Sequence, residues 1–273
     1  MIEPARKRPK LSDVARIAGV GKATASRVLN GSKSVSEETA QRVTEVIRLL
    51  GYEPNRAARS LKGSSSGIIG MIVPSISDMF FSRCAEAVEK VVRESGRMLI
   101  VTASHDQPGA VLNSFRQLML HDIDGLILVQ SSNTEERLLA ELEHASIPVV
   151  GIDRPLLKTR FSSVLCQNFE GARDATQHLI DHGYDSVLNV QVNPKLYTMQ
   201  ERRRGYGYAM RRAERKPQHE ALKDVLDARR VLQREMARGT RPFAIFAGNN
   251  LSARYILEAA KLLGLRIPST WLC

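Results

Sequence analysis

LSDVARIAGVGKATASRVLN, residues 11–30, reads as two short helices joined by a tight turn at Gly19. Val14, Ala15 and Ala18 fall on one face of the first helix. Ala25, Val28 and Leu29 fall on one face of the second, at the i, i+3, i+4 spacing that buries a stripe. The opposite face of the second helix carries Lys22, Ala23, Ser26, Arg27 and Asn30. These groups bond base edges and phosphates. The pair therefore predicts a helix-turn-helix whose second helix enters a DNA major groove.

The charge around this stretch supports the reading. Between residues 1 and 62 stand thirteen lysines and arginines against six acids, within a 273-residue chain of formal charge +11. A basic end on a globular chain points to polyanions, nucleic acid before membrane. A length of 273 residues suits about two domains, and 43% hydrophobic content supports a sizeable core. No run is long and apolar enough to span a membrane, and MIEPARKRPK at the start lacks the apolar segment of a secretory signal. Cys84, Cys166 and Cys273 are far apart, odd in number and without metal-ligand spacing. That usage fits a reducing cytoplasm rather than a disulfide framework.

Downstream, Ser36 is the expected N-cap of a third helix over 37–50, with Ala40, Val43, Ile47 and Leu50 inward and Gly51 as C-cap. Residues 55–62, NRAARSLK, contain good helix formers. They are too short to hold a helix alone, since isolated helices below about 12–15 residues are marginal in water. Gly63-Ser64-Ser65-Ser66-Gly67 reads as a flexible linker. The expected domains are residues 1–62, a DNA-binding unit ending in that short helix, and 68–273, an α/β unit. From residue 68 strands and helices alternate. Strands are expected at 68–73, 98–102, 124–129, 148–152, 163–166, 186–191 and 242–247. Helices are expected at about 80–95 (Cys84, Ala87, Val88 and Val91 inward), 108–121, 135–145, 171–182, 202–214, 228–238 and 251–263. Alternation of this kind predicts doubly wound parallel sheets. The pattern restarts after a crossing loop at 153–163, giving lobe one over 68–153 and lobe two over 163–273, with a cleft between them. Residues 216–228 yield no regular element.

GVGKATASRVLNGS, VSEETAQRV, LGYEPNRAARSLK and GIIGMIVP, taken in order, closely resemble the lactose-repressor/galactose-repressor (LacI/GalR) family of bacterial transcription regulators. The resemblance runs from about residue 10 to 268. It implies an all-α helix-turn-helix domain joined to a two-lobed α/β effector domain of the periplasmic sugar-binding type. It also implies a homodimer or homotetramer seated on palindromic operator DNA. In such families Lys22, Ala23 and Arg27 face the bases; Lys and Arg suit guanine O6 and N7, and Ala suits a thymine methyl. Thr24, Ser26 and Asn30 would hold phosphates or the helix itself. Asn55, Ala58 and Leu61 fall in the hinge helix, with Leu61 wedging into a minor-groove base step; read without the resemblance, Leu61 is first of all an ordinary apolar linker residue.

For the effector domain the resemblance points to Phe80, Phe81, Asp153, Arg154, Arg202 (in an R-x-x-G pattern before Gly205) and Asn249 as cleft residues. A carboxylate, an amide and a guanidinium suit a polyol, sugar or sugar acid. Each also has a plainer role: Phe80 as core, Asp153 as a strand-end turn residue, Arg202 as part of the solvated run Arg202-Arg203-Arg204. The chain departs from the family at Gly21 (usually Ser), Ala25 (usually Val), Asp78-Met79 (usually Asn-Pro) and Gln167 (usually Asp). Family members also continue past Pro268, so the resemblance implies an incomplete second lobe here.

The function expected is thus a cytoplasmic DNA-binding transcriptional regulator, a repressor of sugar or sugar-acid genes under a carbohydrate-like effector, without cofactor or metal. A truncated regulator that has lost its effector response, or a sugar-binding protein without a regulatory role, are the alternatives. An enzyme is not indicated, because G-x-S-x-G, P-loop and metal-cluster patterns are missing. His178 and His182 stand at i, i+4 on a helix but lack the acid a metal motif would place between them.

Overall fold

The computed structural model describes residues 9–29, 32, 34–52, 65–107, 109–131, 136–157, 159–238 and 243–265. The chain divides into two compact units, Met1–Ser66 and Gly67–Cys273. The expected hinge helix over 55–62, and with it Asn55, Ala58 and Leu61, lies outside the described residues, as does Asn30.

In the first unit, α1 (Leu11–Ile17), α2 (Lys22–Leu29) and α3 (Glu37–Leu50) close around Val14, Ala15, Ala18, Ala25, Val43 and Val46. The turn between α1 and α2 needs a left-handed residue, and Gly19 supplies it at φ +65. The Ala18 carbonyl at the end of α1 has no partner within its helix; the Arg42 side chain of α3 reaches over and donates to it at 3.1 Å. Gly51 ends α3 in the left-handed conformation, with the Tyr52 N–H returning to the Ile47 carbonyl at 3.0 Å. One detail of α3 differs from expectation. Val46, not Ala40, joins Val43 in the buried stripe, with Ile47 and Leu50 flanking it. Ser36 sits at the cap position, but its hydroxyl donates to Thr39 Oγ1 rather than accepting a backbone N–H.

The second unit is built on two parallel sheets. Five strands, β1 (Ile68–Val73), β2 (Met98–Ala103), β3 (Gly125–Leu128), β4 (Val149–Ile152) and β5 (Ser163–Val164), lie in the order β2-β1-β3-β4-β5. Residues 163–164, expected to open the second lobe, instead pair with β4 through Gly151↔Ser163 and Ile152↔Val164. A side chain at Gly151 would collide with Ser163 and Leu156, so that approach depends on glycine. Helices α4 (Met79–Glu94), α5 (Ala110–Met119) and α6 (Glu136–His144) cover this sheet. α4 turns one residue out of the expected phase. Phe81 and Val92 are buried, with Cys84, Ala85 and Val88 half-buried beside them, whereas Ala87 is exposed and Val91 is 66% exposed. Phe81 sets the phase: one large aromatic buried at the helix start carries positions 85, 88 and 92 inward with it.

The second sheet has the order β7-β6-β8, from β6 (Ser186–Gln191), β7 (Gln218–Ala221) and β8 (Phe243–Ala247). Its helices are α7 (Asn168–Asp181), α8 (Tyr197–Arg212), α9 (Val225–Arg238) and α10 (Asn250–Leu262). Leu188 and Val190 of β6 face α9 and α10, while Val187 faces Leu179, Tyr206 and Met210 of α7 and α8. β7 fills part of the stretch that yields no element by sequence. Gln-His-Glu-Ala at a sheet edge lacks the apolar alternation that marks a strand. It is held by the buried Tyr206 hydroxyl, which lies 2.7–2.8 Å from the Gln218 and Val187 carbonyls and accepts the Gln218 N–H. Burial pushes that phenol up to about 12.

Candidate functional site

Two surfaces carry chemistry. On α2, Lys22, Ala23 and Arg27 are exposed and Thr24 and Ser26 half-buried, while Ala25 on the opposite side is fully buried in the three-helix core. Neither Lys22 nor Arg27 has an ion-pair or side-chain hydrogen-bond partner among the described residues. Packing by Ala25 and Val28 thus fixes which way the helix faces, and the five α2 residues singled out by sequence, Lys22, Ala23, Thr24, Ser26 and Arg27, lie on or beside its open side.

The second surface is the cleft of the α/β unit, at the C-terminal ends of the parallel strands. Asp153 follows β4 in the left-handed conformation, φ +66, with its side chain 9% exposed. Burial drives its carboxyl above the usual carboxylate range; the attraction of Arg154 and Arg202 opposes this, and Asp78 and Asp106 add to the rise. Arg154 does not project freely into the cleft. Its guanidinium, 8% exposed, donates to Asp106 Oδ1 at 2.9 Å and to the Gln130 carbonyl at 2.8 Å, and lies 3.6 Å from Asp153 Oδ2. It ties the ends of β2, β3 and β4 together. Phe81, 7% exposed, is part of the first-lobe core. Phe80 remains 42% exposed beside the cleft, edge-on to Phe81 at 5.1 Å.

From the second lobe, Arg202 projects from the second turn of α8. Its Nε donates to Asn168 Oδ1 at 2.8 Å and its Nη1 to the Gly248 carbonyl at 2.6 Å. α8 starts at Tyr197, five residues ahead of the expected start, and α7 starts at Asn168 rather than 171; these longer helices bring Arg202 and Asn168 together. Gly205 allows it, because a Cβ there would stand 2.1 Å from the Phe169 carbonyl oxygen of α7. Asn249 caps α10, its Oδ1 accepting the Ser252 N–H at 2.8 Å. Around these groups opens a cavity of about 550 Å³, lined among others by Cys166, Asn168, Arg202, Phe246, Asn249 and Asn250.

Three polar groups of this cleft escape a residue-by-residue reading of the sequence. Asn168 orients Arg202, and Asn250 donates to Asp78 Oδ1 at 3.0 Å, linking the second lobe to the first. Gln130 Oε1 is buried without a partner among the described residues. The signal available for Asn250 is the Gly-Asn-Asn run at a strand end; the other two come from distant segments that only the fold unites. The rings of His178, on α7, and His182, its C-cap, lie 4.1 Å apart and tilted by 45°, with His182 Nδ1 2.8 Å from the His178 carbonyl. No helix among the described residues is long and apolar enough to cross a membrane.

Known proteins share both units. Residues 10–55 match the family described as bacterial regulatory proteins, lacI family. Residues 66–271 match the periplasmic binding proteins and sugar binding domain of LacI family. The chain is 31% identical over 260 residues to the ribose operon repressor of Halalkalibacterium halodurans, covering 94% of this chain and 77% of that protein. It is 30% identical over 266 residues to the transcriptional repressor PurR of Vibrio vulnificus, covering 94% and 78%. Among solved structures, the lac repressor dimer bound to operator and the anti-inducer ONPF superposes with a TM-score of 0.82 at 23% identity, covering 97% of this chain and 81% of that one. A cellobiose complex of the regulator CelR gives 0.63 at 26% identity, covering 97% and 81%. With a helix-turn-helix unit and a two-sheet α/β unit each matching its own family model, the chain belongs to the lacI family of bacterial regulatory proteins.

Proposed function

We propose that this chain is a sequence-specific DNA-binding repressor of transcription whose operator affinity is set by a small polar ligand in the cleft of the α/β unit. The observation that carries the DNA reading is the open face of α2, with Lys22, Ala23 and Arg27 exposed on a helix whose other face is locked into a core. Lys22 and Arg27 read guanine edges, Ala23 packs on a thymine methyl, and Thr24 and Ser26 anchor to phosphate. Asn30, Asn55, Ala58 and Leu61 complete this set, with Leu61 as the minor-groove wedge. Relatives named as a ribose operon repressor, a sucrose operon repressor and the transcriptional repressor PurR support the reading.

The ligand class is a sugar, sugar acid or similarly hydroxylated molecule. Asp153, Arg202 and Asn249 supply a carboxylate, a guanidinium and an amide, and Phe80 an aromatic face. Arg154 acts from beneath, by holding Asp153. The active form is a homodimer that presents two α2 helices to a palindrome.

Selection from a random double-stranded DNA library tests the proposal. It expects enrichment of one palindromic site; recovery of unrelated sequences at equal affinity would overturn it. A thermal-shift screen of sugars, sugar acids and nucleosides then identifies the ligand class, and a shift confined to nucleosides would replace the carbohydrate reading.

A further inference from the structure

The basic N-terminal unit has a counterpart of equal charge in the second lobe. Residues 195–238, from the approach to α8 through β7 to the end of α9, carry thirteen lysines and arginines against six acids, the same numbers as residues 1–62. All other residues together carry fourteen against seventeen. The excess gathers on the outer face of α8. Tyr206, Ala209 and Met210 bury the inner face, which turns Arg203, Arg204, Tyr208, Arg211 and Arg212 outward, all of them exposed. Gly207 keeps the basic strip continuous. A Cβ there would stand 3.1 Å from Arg211 Nη1, so its absence lets that guanidinium lie back along the helix toward Arg203.

Few acids answer this charge. Arg204 pairs with Glu201, and Arg203 rests on His219 of the edge strand β7. Burial, and then the charge of Arg203, hold His219 below the usual histidine range, so it meets the guanidinium as a neutral ring. Arg211 and Arg212 have no ion-pair or side-chain hydrogen-bond partner among the described residues. On α9 the arginines are better matched, since Arg230, Arg234 and Arg238 each hold an acid.

We propose that the outer face of α8, with Arg203, Arg211 and Arg212 at its centre, is a second DNA-binding surface that grips the phosphate backbone of duplex DNA without reading its sequence. Guanidinium groups fit phosphate oxygens bidentately. From Arg203 to Arg212 the helix rises about 13 Å, and duplex DNA carries one charge per ~1.7 Å of its axis, so the strip meets several phosphates. A single strand would need a platform of aromatic rings to stack on, and Tyr208 is the only large apolar side chain exposed on α8. An acidic protein would need an apolar centre to the patch, which that lone tyrosine does not supply. Phosphate contacts carry no sequence information; they add to the affinity that holds a regulator on DNA away from its site. The inference stands apart from the reading of α2, which belongs to the other unit of the chain.

Fluorescence anisotropy of the full chain with a labelled duplex of random sequence, across rising salt, tests it. Wild type is compared with Arg203→Gln/Arg211→Gln/Arg212→Gln, with Lys22→Ala/Arg27→Ala, and with all five changes combined. Each phosphate contact removed lowers the steepness of log affinity against log salt by about one. The α8 variant should therefore lose about 2–3 from that slope. The α2 variant should keep salt-dependent binding, and the combined variant should lose most of what remains. Lysines at the same three positions keep the charge and should keep the slope, and a thermal midpoint equal to that of wild type confirms that each variant is folded. A slope unchanged by the three glutamines in folded protein would overturn the inference. So would a loss at least as large on the single strand of the same sequence, or on polyglutamate, which would give the face to a single-stranded nucleic acid or to an acidic protein.

Discussion

At the scale of single residues, Asp153 shows best what the cleft costs. Its carboxyl is raised by burial ahead of the opposing pull of Arg154 and Arg202. A folded-state value above the unfolded one means the folded chain holds the proton more tightly. The associated stability is present below the ordinary carboxylate range and is lost as pH rises through the folded value. Asp153→Asn removes that loss and, because asparagine tolerates a left-handed backbone, keeps the φ of +66. Urea unfolding of the variant should show a gain of about 0.5–2 kcal/mol at neutral pH, shrinking to nothing below the carboxylate range, while affinity for the cleft ligand falls. A gain of equal size at both pH values would place its origin outside this titration. The sequence can nominate Asp153 and Arg154 as a pair at a strand end, but not divide their labour. That division comes from Asp106 and Gln130, which occupy the guanidinium from segments far away in the chain. Phe81, expected in the cleft and found in the core, escapes the sequence for a related reason. Two adjacent aromatics at a helix start look alike until the helix phase decides which one the core takes.

Among elements, the close pairs of helices carry the sharpest expectations. α7 and α8 approach so tightly at Gly205 that a Cβ would lie 2.1 Å from a backbone oxygen. Gly205→Ala must spread the two helices, and a loss of about 1–3 kcal/mol or more in denaturant unfolding is expected. The same shift pulls Arg202 from Asn168, so ligand affinity should fall with it. Gly21, before α2, is the opposite case. Its backbone is not left-handed, and a Cβ added there would find its nearest neighbour, Thr24 Oγ1, 4.0 Å away. Gly21→Ser should gain a few tenths of a kcal/mol by capping α2, seen as a small rise in thermal midpoint. Helices with one clear apolar stripe, such as α2 and α3, are legible because their burial follows a single period. β7 is not, because its polar residues at a sheet edge are placed by the Tyr206 hydroxyl rather than by any pattern of their own.

For the whole molecule, alternation of strands and helices and the basic N-terminal quarter are enough to name the architecture. Strand order is out of reach, since β5 joins the first sheet through two residue pairs and a glycine contact that no local pattern encodes. Function at this scale rests on a basic helical unit that reads DNA, governed by a separate α/β unit with a ligand cleft. Fluorescence anisotropy on the selected palindromic duplex and on a scrambled duplex, with wild type and Arg27→Ala across rising salt, tests this most directly. The account predicts that the logarithm of wild-type affinity falls linearly with the logarithm of salt. It also predicts that Arg27→Ala loses about 1–3 kcal/mol on the palindrome, with much less on the scrambled duplex. Affinity indifferent to salt, or equal for palindrome and scramble in the wild type, would contradict it.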